Sequence, residues 1–208
     1  AGTVAMPFYK TQEISKNTFE WLQDKNIRKS LLHNKKLYIL TTEPKIYIAD
    51  PNTGDLISEL KLTGIEGGIL PISDIAFSAD GYLMACNKNI VTLPADGEKF
   101  KVYTWNDDES DPILFFETTQ QGNFSASTIG ETFAISGPRW KCNIYTPAIT
   151  TGTSKQIRIV GYQIDEELII GYKYMMDTTK YTEALWGETF TFTISPLGTC
   201  LLYTSDAA

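Results

Sequence analysis

The stretch KIYIADPNTGDLISELKL, residues 45–62, predicts a β-hairpin and indicates the fold class. Its first six residues read as a short apolar strand, and a polar turn follows. Pro51 presets φ for the second turn position, and Gly54 supplies a positive φ. Because side chains alternate along a strand, four residues of the returning strand share one face: Leu56, Ser58, Leu60 and Leu62. The stretch therefore predicts a hairpin with one face toward a core.

Two further hairpins repeat this unit at nearly constant spacing. One is predicted at residues 101–118, around a polar loop, and the other at residues 157–172. The openings of the three hairpins, Lys45, Lys101 and Arg158, are 56 and 57 residues apart. This regularity indicates a structural repeat.

Short apolar strands alternate with the hairpins at residues 34–40, 75–86, 129–135 and 186–192. The string Gly-Glu-Thr-Phe occurs at 130–133 and again at 187–190. A period of roughly 45–57 residues with about four strands is typical of β-propeller blades, which stack because one blade cannot bury both of its faces. The sequence therefore predicts an all-β chain of propeller-like, four-stranded antiparallel units, an incomplete array of about three to four blades.

The prediction divides the chain into three parts. Residues 1–28 form a lead-in segment that fits the repeat poorly, and residues 29–199 form the propeller-like repeats, as a fragment of a larger domain. Residues 200–208 read CLLYTSDAA, which resembles the translation of a common transposase-based sequencing adapter. We therefore expect the natural sequence to continue differently after Thr199.

The composition argues against nucleic acid as a partner. The chain has 18 Lys and Arg residues against 25 Asp and Glu residues, a net charge of −7, whereas nucleic-acid binders show a basic stripe. Its basic cluster, Arg28, Lys29, Lys35 and Lys36, is interpreted as a solvated turn. No apolar run approaches the roughly 20 residues of a membrane span. No signal peptide is visible, the three cysteines lack metal-ligand spacing, and no cofactor is predicted.

Several strings resemble parts of known propellers. FSADG at residues 77–81 is similar to a turn common in blades, and DPNTGD at 50–55 is similar to the hairpin turn of quinoprotein-type propellers. LKLTGIEGG at 60–68, followed by SDIA and ACN, and FKVYTW at 100–105 resemble an uncharacterised family of secreted proteins found mostly in gut Bacteroidota, the DUF4623 family. The resemblance covers residues 28–165. It implies a propeller-like fold and an exported or lipid-anchored protein, with no activity and no catalytic residues.

The polar loop of the second hairpin is acidic enough to raise the question of calcium. Asn106, Asp108 and Glu117 fall at positions 1, 3 and 12 of a calcium-binding loop frame. Asp111 occupies position 6, where the sharp turn requires Gly, and strands rather than helices flank the frame. We therefore favour a solvated hairpin loop and predict no metal site, with these three residues as weak candidates.

Two tryptophans are candidate ligand contacts. Trp140 lies beside Arg139 in the loop-like string GPRWK, and Trp105 ends a predicted strand next to the polar loop. An exposed indole beside a cation suits a sugar ring or an anion, whereas buried packing between blades is the alternative. The predicted ligand-binding residues are therefore Trp140, Arg139 and Trp105. His33 has no identifiable partner for acid–base chemistry, so no catalytic residue is predicted.

These observations favour a non-catalytic, exported protein that binds an extracellular ligand or partner protein, with a glycan as the leading ligand class. Binding is expected in the loops at one end of the repeat, because loops carry function on a repeated scaffold. Two alternatives remain: a propeller-type hydrolase or lyase with its active site in loops or missing residues, and a structural surface repeat. An enzyme needs convergent titratable groups in a pocket, whereas a glycan binder needs exposed aromatic rings flanked by amides or carboxylates.

Overall fold

The structure, a computed structural model, describes residues 19–92, 98–119, 126–151, 157–166, 168–177, 191–194 and 200–203. In this part of the chain, the regular structure consists of strands and one 3-10 turn at Glu20–Leu22. The strand pairs are antiparallel. The predicted all-β, antiparallel class is therefore confirmed. No helix among the described residues has the length and apolar character needed to cross a membrane.

The first meander contains four strands that pair in chain order: β1 (Ile27–His33), β2 (Lys36–Thr41), β3 (Ile46–Ala49) and β4 (Leu56–Glu59). The hairpin predicted at residues 45–62 is β3–β4, so this prediction is confirmed. A tight turn fixes the register of this hairpin, because Asp50 N donates a 2.9 Å hydrogen bond to Asp55 O across the turn.

The two strands of this hairpin are buried to different extents. All four residues of β3 are buried, whereas Leu56 and Ile57 of β4 are exposed. The prediction that Leu56 faces a core is wrong, because β4 is the edge strand of its sheet and its first residues pass beyond the packed surface. Leu60, on the same predicted face, is buried. Gly54 has the predicted positive φ, at 81°.

The second meander contains β5 (Leu70–Phe77), β6 (Leu83–Thr92), β7 (Phe100–Thr104) and β8 (Ile113–Thr118). Here too each strand pairs with the next one along the chain. The pair β7–β8 is the hairpin predicted at residues 101–118, and that prediction is confirmed.

The third meander contains β10 (Ala134–Ser136), β11 (Lys141–Thr150), β12 (Ile157–Asp165) and β13 (Leu168–Asp177). The pair β12–β13 confirms the third predicted hairpin. One further strand, β9 (Ala126–Ile129), pairs with both β6 and β11 and so joins the second meander to the third in a single nine-stranded sheet.

The last two described strands, β14 (Thr191–Ile194) and β15 (Cys200–Tyr203), form a hairpin of their own. Strand β15 lies in the segment for which an adapter origin is predicted, and that assignment stays a prediction. Residues 1–18, most of the predicted lead-in, and the second Gly-Glu-Thr-Phe string at 187–190 lie outside the described residues.

Two hydrophobic cores lie between the three meanders, one at each interface between neighbours. The first interface, between meanders 1 and 2, contains Leu40, Ile46, Ile48, Ile75 and Trp105 among its buried residues. The second interface, between meanders 2 and 3, contains Phe100, Val102, Phe116, Ile144 and Tyr162. Strand β6 serves both cores, because Leu83 and Ala85 face the first and Met84 and Cys86 face the second. The second meander is therefore buried on both faces by its neighbours.

The first strands of successive meanders lie side by side, since β1 contacts β5, and β5 contacts β10. Asp74 of β5, only 3% exposed, connects all three meanders. Its carboxylate forms an ion pair with Lys29 of β1 at 2.6 Å. It also accepts hydrogen bonds from Thr132 Oγ1 at 2.6 Å and from Phe133 N at 2.9 Å. These contacts offset the cost of burying the polar side chain of Asp74.

The interpretation of the basic cluster as a solvated turn is wrong for Arg28 and Lys29, and also for Lys36, which lies on β2 and pairs with Asp108. Arg28 lies on β1 and pairs with Glu131 at 2.6 Å, and Lys29 pairs with Asp74. Both strand positions point toward the neighbouring meanders, where carboxylates are available. Lys35, in contrast, lies exposed in the β1–β2 turn as predicted.

Candidate functional site: the turn face

Turns from all three meanders meet at one end of the molecule, here called the turn face: residues 33–36, 78–82, 105–112, 137–141 and 165–166. In an antiparallel meander the first and third connections lie at the same end, because the chain reverses at each strand. Backbone hydrogen bonds hold these turns together, from Ala79 N to Gly137 O and from Glu166 N to Trp140 O, each at 2.9 Å. The loops that were expected to carry function therefore share one surface.

A cavity of about 50 Å³ opens on the turn face at the first interface. Its walls come from β2, the β5–β6 turn and the β7–β8 loop. Six apolar or aromatic residues and a glycine line it, namely Tyr38, Leu60, Phe77, Tyr82, Leu83, Trp105 and Gly81, but polar atoms make up about half of its exposed wall. Asn106, Asp107 and Asp108 add an amide and two carboxylates. Aromatic rings beside a few polar groups are typical of small-ligand sites.

Asp108 is held in place from the first meander. Tyr38 Oη donates a 2.9 Å hydrogen bond to Oδ1, and Lys36 Nζ lies 2.5 Å from Oδ2. Burial of the Tyr38 phenol, followed by its hydrogen bond to Asp108 and the charge of that carboxylate, raises the pKa of Tyr38 well above its usual range. Tyr38 therefore stays protonated and acts as a hydrogen-bond donor.

Asp107 organises its own loop. Its Oδ1 accepts hydrogen bonds from Glu109 N at 2.9 Å, Ser110 N at 2.7 Å and Ser110 Oγ at 2.6 Å. These bonds, with that from the Ser110 hydroxyl first, lower the pKa of Asp107. An Asp side chain that caps the following amides in this way fixes the loop without help from a metal.

Arg139 is the buried cation beneath the turn face, at 6% exposure. Its guanidinium lies 3.7 Å from the ring centre of Tyr82 and 4.7 Å from that of Trp140. It also donates a 2.9 Å hydrogen bond from Nη1 to Asn106 Oδ1. Stacking between two aromatic faces compensates part of the cost of burying this charge.

Asp80 anchors the backbone on the other side of Arg139, because its Oδ1 accepts a 2.8 Å hydrogen bond from Arg139 N. Partial burial raises the pKa of Asp80, but the hydrogen bonds from Ser78 Oγ and Arg139 N together lower it by more than burial raises it. The net shift of the pKa is therefore downward. The 137–141 turn is thus fixed by the 78–82 turn and by the 105–112 loop.

The structure places the predicted ligand-binding residues close together, but with different exposure. Trp105 is 2% exposed, and its Nε1 donates a 2.9 Å hydrogen bond to Lys61 O. Its faces are therefore not available to a sugar ring, and buried packing, the alternative, describes it. Trp140 is half-buried and packs on Phe115 at 5.2 Å between ring centres. Arg139 contacts both tryptophans, because its guanidinium lies over the Trp140 ring and its Nη1 lies 3.5 Å from Trp105 O.

The weak metal candidates do not assemble. Asn106 is bonded to Arg139, and Asp108 is bonded to Lys36 and Tyr38. Glu117 lies at the far end of the β7–β8 hairpin, opposite Lys101 in the ladder, and pairs with Lys99. Among the described residues, no group of three or more His, Cys, Asp or Glu side chains is arranged to hold a metal ion.

Sequence reasoning missed the residues that make the cavity. Tyr38, Phe77 and Tyr82 were assigned only to strands and turns, although FSADG at 77–81 identified the turn that presents two of them. His33 stacks on Phe77 with 3.9 Å between ring centres and an interplanar angle of 18°. It acts here as a flat aromatic neighbour of the cavity wall.

Cys86 and Cys142 are unreactive by position. Burial, as the main cause, raises the pKa of the Cys142 thiol to about 12 and raises that of Cys86 still further. Both thiols are free and buried. They pack as small apolar groups, since only an accessible thiolate is a good nucleophile.

The comparisons with known proteins concern the fold. No family model matches this sequence, and no curated protein matches it. Among solved structures, the crystal structure of a DUF4623 family protein from Bacteroides eggerthii DSM 20697 matches with a TM-score of 0.59 at 11% sequence identity. The chain has a DUF4623-like fold. The predicted resemblance to this family is thereby confirmed at the level of the fold.

The extent of this match limits what it shows. The alignment covers 85% of this chain but 40% of the Bacteroides protein, so the chain spans less than half of that protein's length. At 11% identity the two proteins share a fold, and the site must be argued from the residues of this chain.

Proposed function

We propose that this chain is a non-catalytic binding module that recognises an extracellular glycan on its turn face. The observation that carries the proposal is the cavity at the first interface, where the rings of Tyr38, Phe77 and Tyr82 and the polar side chains of Asn106 and Asp107 line a small space of mixed character. Aromatic walls with an amide and a carboxylate nearby match the amphipathic surface of a sugar.

The carboxyl groups with clear pKa shifts do not suit the role of a general acid in sugar cleavage. A hydrolase that cleaves sugars needs one carboxyl group with a raised pKa as a general acid. The Asp and Glu side chains for which the pKa shifts clearly in the described residues are Asp80, Asp107 and Glu131, and all three shift downward. A lowered pKa keeps a carboxyl group ionised, so none of these three groups suits that role.

We also propose that the three meanders are successive blades of a β-propeller. Each has four antiparallel strands in chain order, and their first strands are neighbours, as expected for the strands around a central axis. The two cores between meanders match the packing between blades. On this architecture the turn face is one end of the axis, where propellers bind their ligands.

Export to the periplasm or cell surface is part of the same proposal. It is supported by the family resemblance and by the extracellular nature of a glycan ligand. Expression of the natural gene in a Bacteroidota host, followed by cell fractionation and surface proteolysis, tests it. Recovery of the protein only from the cytoplasm would contradict it.

The test of binding is a thermal-shift screen of the 208-residue chain against neutral, N-acetylated and acidic oligosaccharides. We expect a saturable rise in melting temperature with one class, because a ligand that binds only the folded state stabilises it. Asp107→Asn should abolish the rise, since Asn keeps the loop-capping oxygen but removes the carboxylate. Asp111→Asn, in the same loop but outside the cavity lining, should not change it.

The alternatives predict other outcomes of this screen. Release of reducing ends during incubation would replace binding with hydrolysis as the function. No shift with any oligosaccharide would contradict glycan binding and favour a partner protein or a structural surface repeat. Trp140→Ala is a poor first variant, because the indole supports Phe115 and Arg139 and its loss should lower stability directly.

A further inference from the structure

We infer that the cavity on the turn face receives the acetamido group of a 2-acetamido sugar. The inference rests on the proposed glycan-binding function and names the chemical group that the site selects. It is argued from the size of the cavity, the nature of its walls and the two free polar atoms at its rim.

The size of the cavity admits a substituent and excludes a ring. Its volume is about 50 Å³. Since a cavity of about 150 Å³ accommodates benzene, a third of that volume holds roughly two non-hydrogen atoms. A pyranose ring therefore stays outside, and only a short group attached to it enters.

The walls favour a methyl group at the end of that substituent. Leu60, Leu83 and Trp105 are almost fully buried, and Phe77 completes the apolar surface. The Tyr38 hydroxyl is already bonded to Asp108. A methyl group can pack against these side chains with no polar atom to desolvate, whereas a hydroxymethyl group must exchange water for Tyr38 Oη or Asp108 as its acceptor.

The rim presents one donor and one acceptor. Asn106 Oδ1 accepts from Arg139, which can only donate, so the amide orientation is fixed and Nδ2 is the free donor. Asp107 uses Oδ1 for its own loop, which leaves Oδ2 as an acceptor. Within the described residues, neither Asn106 Nδ2 nor Asp107 Oδ2 makes a hydrogen bond.

An acetamido group fits these three features at once. Its methyl group matches the apolar walls, its carbonyl oxygen can accept from Asn106 Nδ2, and its N–H can donate to Asp107 Oδ2. A sugar with a plain hydroxyl group in that position leaves the cavity unfilled, and one of the exposed rim atoms keeps water as its partner. The preference for the acetamido group is therefore expected to be moderate.

The experiment compares two trisaccharides of the same linkage and length by calorimetric titration of the 208-residue chain. Triacetylchitotriose carries acetamido groups where cellotriose carries hydroxyl groups. We expect the acetylated trisaccharide to bind at least about tenfold more tightly, as one hydrogen bond plus a buried methyl group implies.

Asn106→Asp supplies the matched variant. It keeps an oxygen for Arg139, so the loop should stay in place, and it removes the Nδ2 donor. The preference should fall to less than about threefold, since the carbonyl would meet a carboxylate instead of a donor. Asn52→Asp, at an exposed turn on β3–β4, is the control and should retain the full preference.

The outcomes separate this inference from the function on which it rests. Equal binding of the two trisaccharides, or binding of a different glycan class in the screen, would overturn the acetamido assignment and leave glycan binding intact. Preference for the acetylated trisaccharide that survives in a folded Asn106→Asp protein would also overturn it. Absence of binding to every glycan would remove both proposals.

Discussion

The two interfaces between meanders are built in different ways. At the second interface, β9 hydrogen-bonds to both β6 and β11, so one backbone ladder runs across it. At the first interface, the two meanders belong to separate sheets. There, side chains make the polar connections, with Lys29 bonded to Asp74 and both Lys36 and Tyr38 bonded to Asp108.

The cavity on the turn face lies at the first of these two interfaces. A continuous ladder leaves little space between strands, because the backbone spacing is fixed at about 4.8 Å. Side-chain contacts between separate sheets leave gaps, and one of them opens onto the turn face at the first interface. The first interface should therefore respond most to changes in side chains, and the second to changes in the backbone.

The largest expected effect comes from removing Asp74, the buried carboxylate that connects all three meanders. Asp74→Ala leaves Lys29 without its partner and two further donors unpaired, so we expect a loss of about 4 kcal/mol in the free energy of unfolding. Equilibrium denaturation in urea measures it. Asp74→Asn, which keeps two acceptor or donor positions, should lose less. A loss below about 1 kcal/mol for Asp74→Ala would mean that Asp74 does not join the meanders.

The next effect tests the backbone at the second interface. Gly130 follows β9 with φ at 85°, and an added Cβ would lie 1.9 Å from Asn87 O. Gly130→Ala should therefore cost about 3 kcal/mol, from backbone strain and from displacement of a strand. Gly64→Ala is the matched control, because its φ is 74° but nothing lies within 4 Å of the added Cβ. Similar losses for the two variants would contradict the close approach at Gly130.

The smallest effect concerns pH and the ion pairs of Glu131. Burial raises the pKa of Glu131, but the hydrogen bonds and the charges of Lys88 and Arg28 together lower it by more than burial raises it. The pKa of Glu131 therefore lies below its ordinary value of 4.5. Because the folded-state pKa is the lower one, the stabilisation is complete above the unfolded-state value. It is lost as the pH falls through the folded-state pKa.

Denaturation of the unsubstituted 208-residue chain and of Glu131→Gln between pH 3 and 7 tests this predicted pH dependence of stability. We expect the unsubstituted chain to be more stable by up to about 1 kcal/mol near neutral pH, since the pairs are partly exposed, and the difference to vanish in acid. The exposed Glu109→Gln serves as a control with no such trend. A difference that grows toward acid would reverse the assignment.

Local sequence signals predicted the hairpins well and the site only in part. The β3–β4 turn was predictable because Pro51 and Gly54 act through their own backbone preferences. Arg139 was predicted as a ligand contact because it is adjacent to Trp140 in sequence. In the structure it also stacks on Tyr82 and bonds to Asn106, which lie 57 and 33 residues away in sequence. Trp105 was selected as an exposed candidate because strand ends are often exposed, but the first meander covers it.

The sequence by itself determined the all-β class, the three hairpins and the spacing of the repeat, since alternation and turn chemistry act within a few residues of each other. Only the tertiary structure decided which of the turns share a surface, that Asp74 joins three meanders, and that Tyr38, Phe77 and Asn106 enclose a cavity. The physical reason is that stacking of meanders is set by side-chain packing between residues far apart in the chain. No local pattern encodes those contacts.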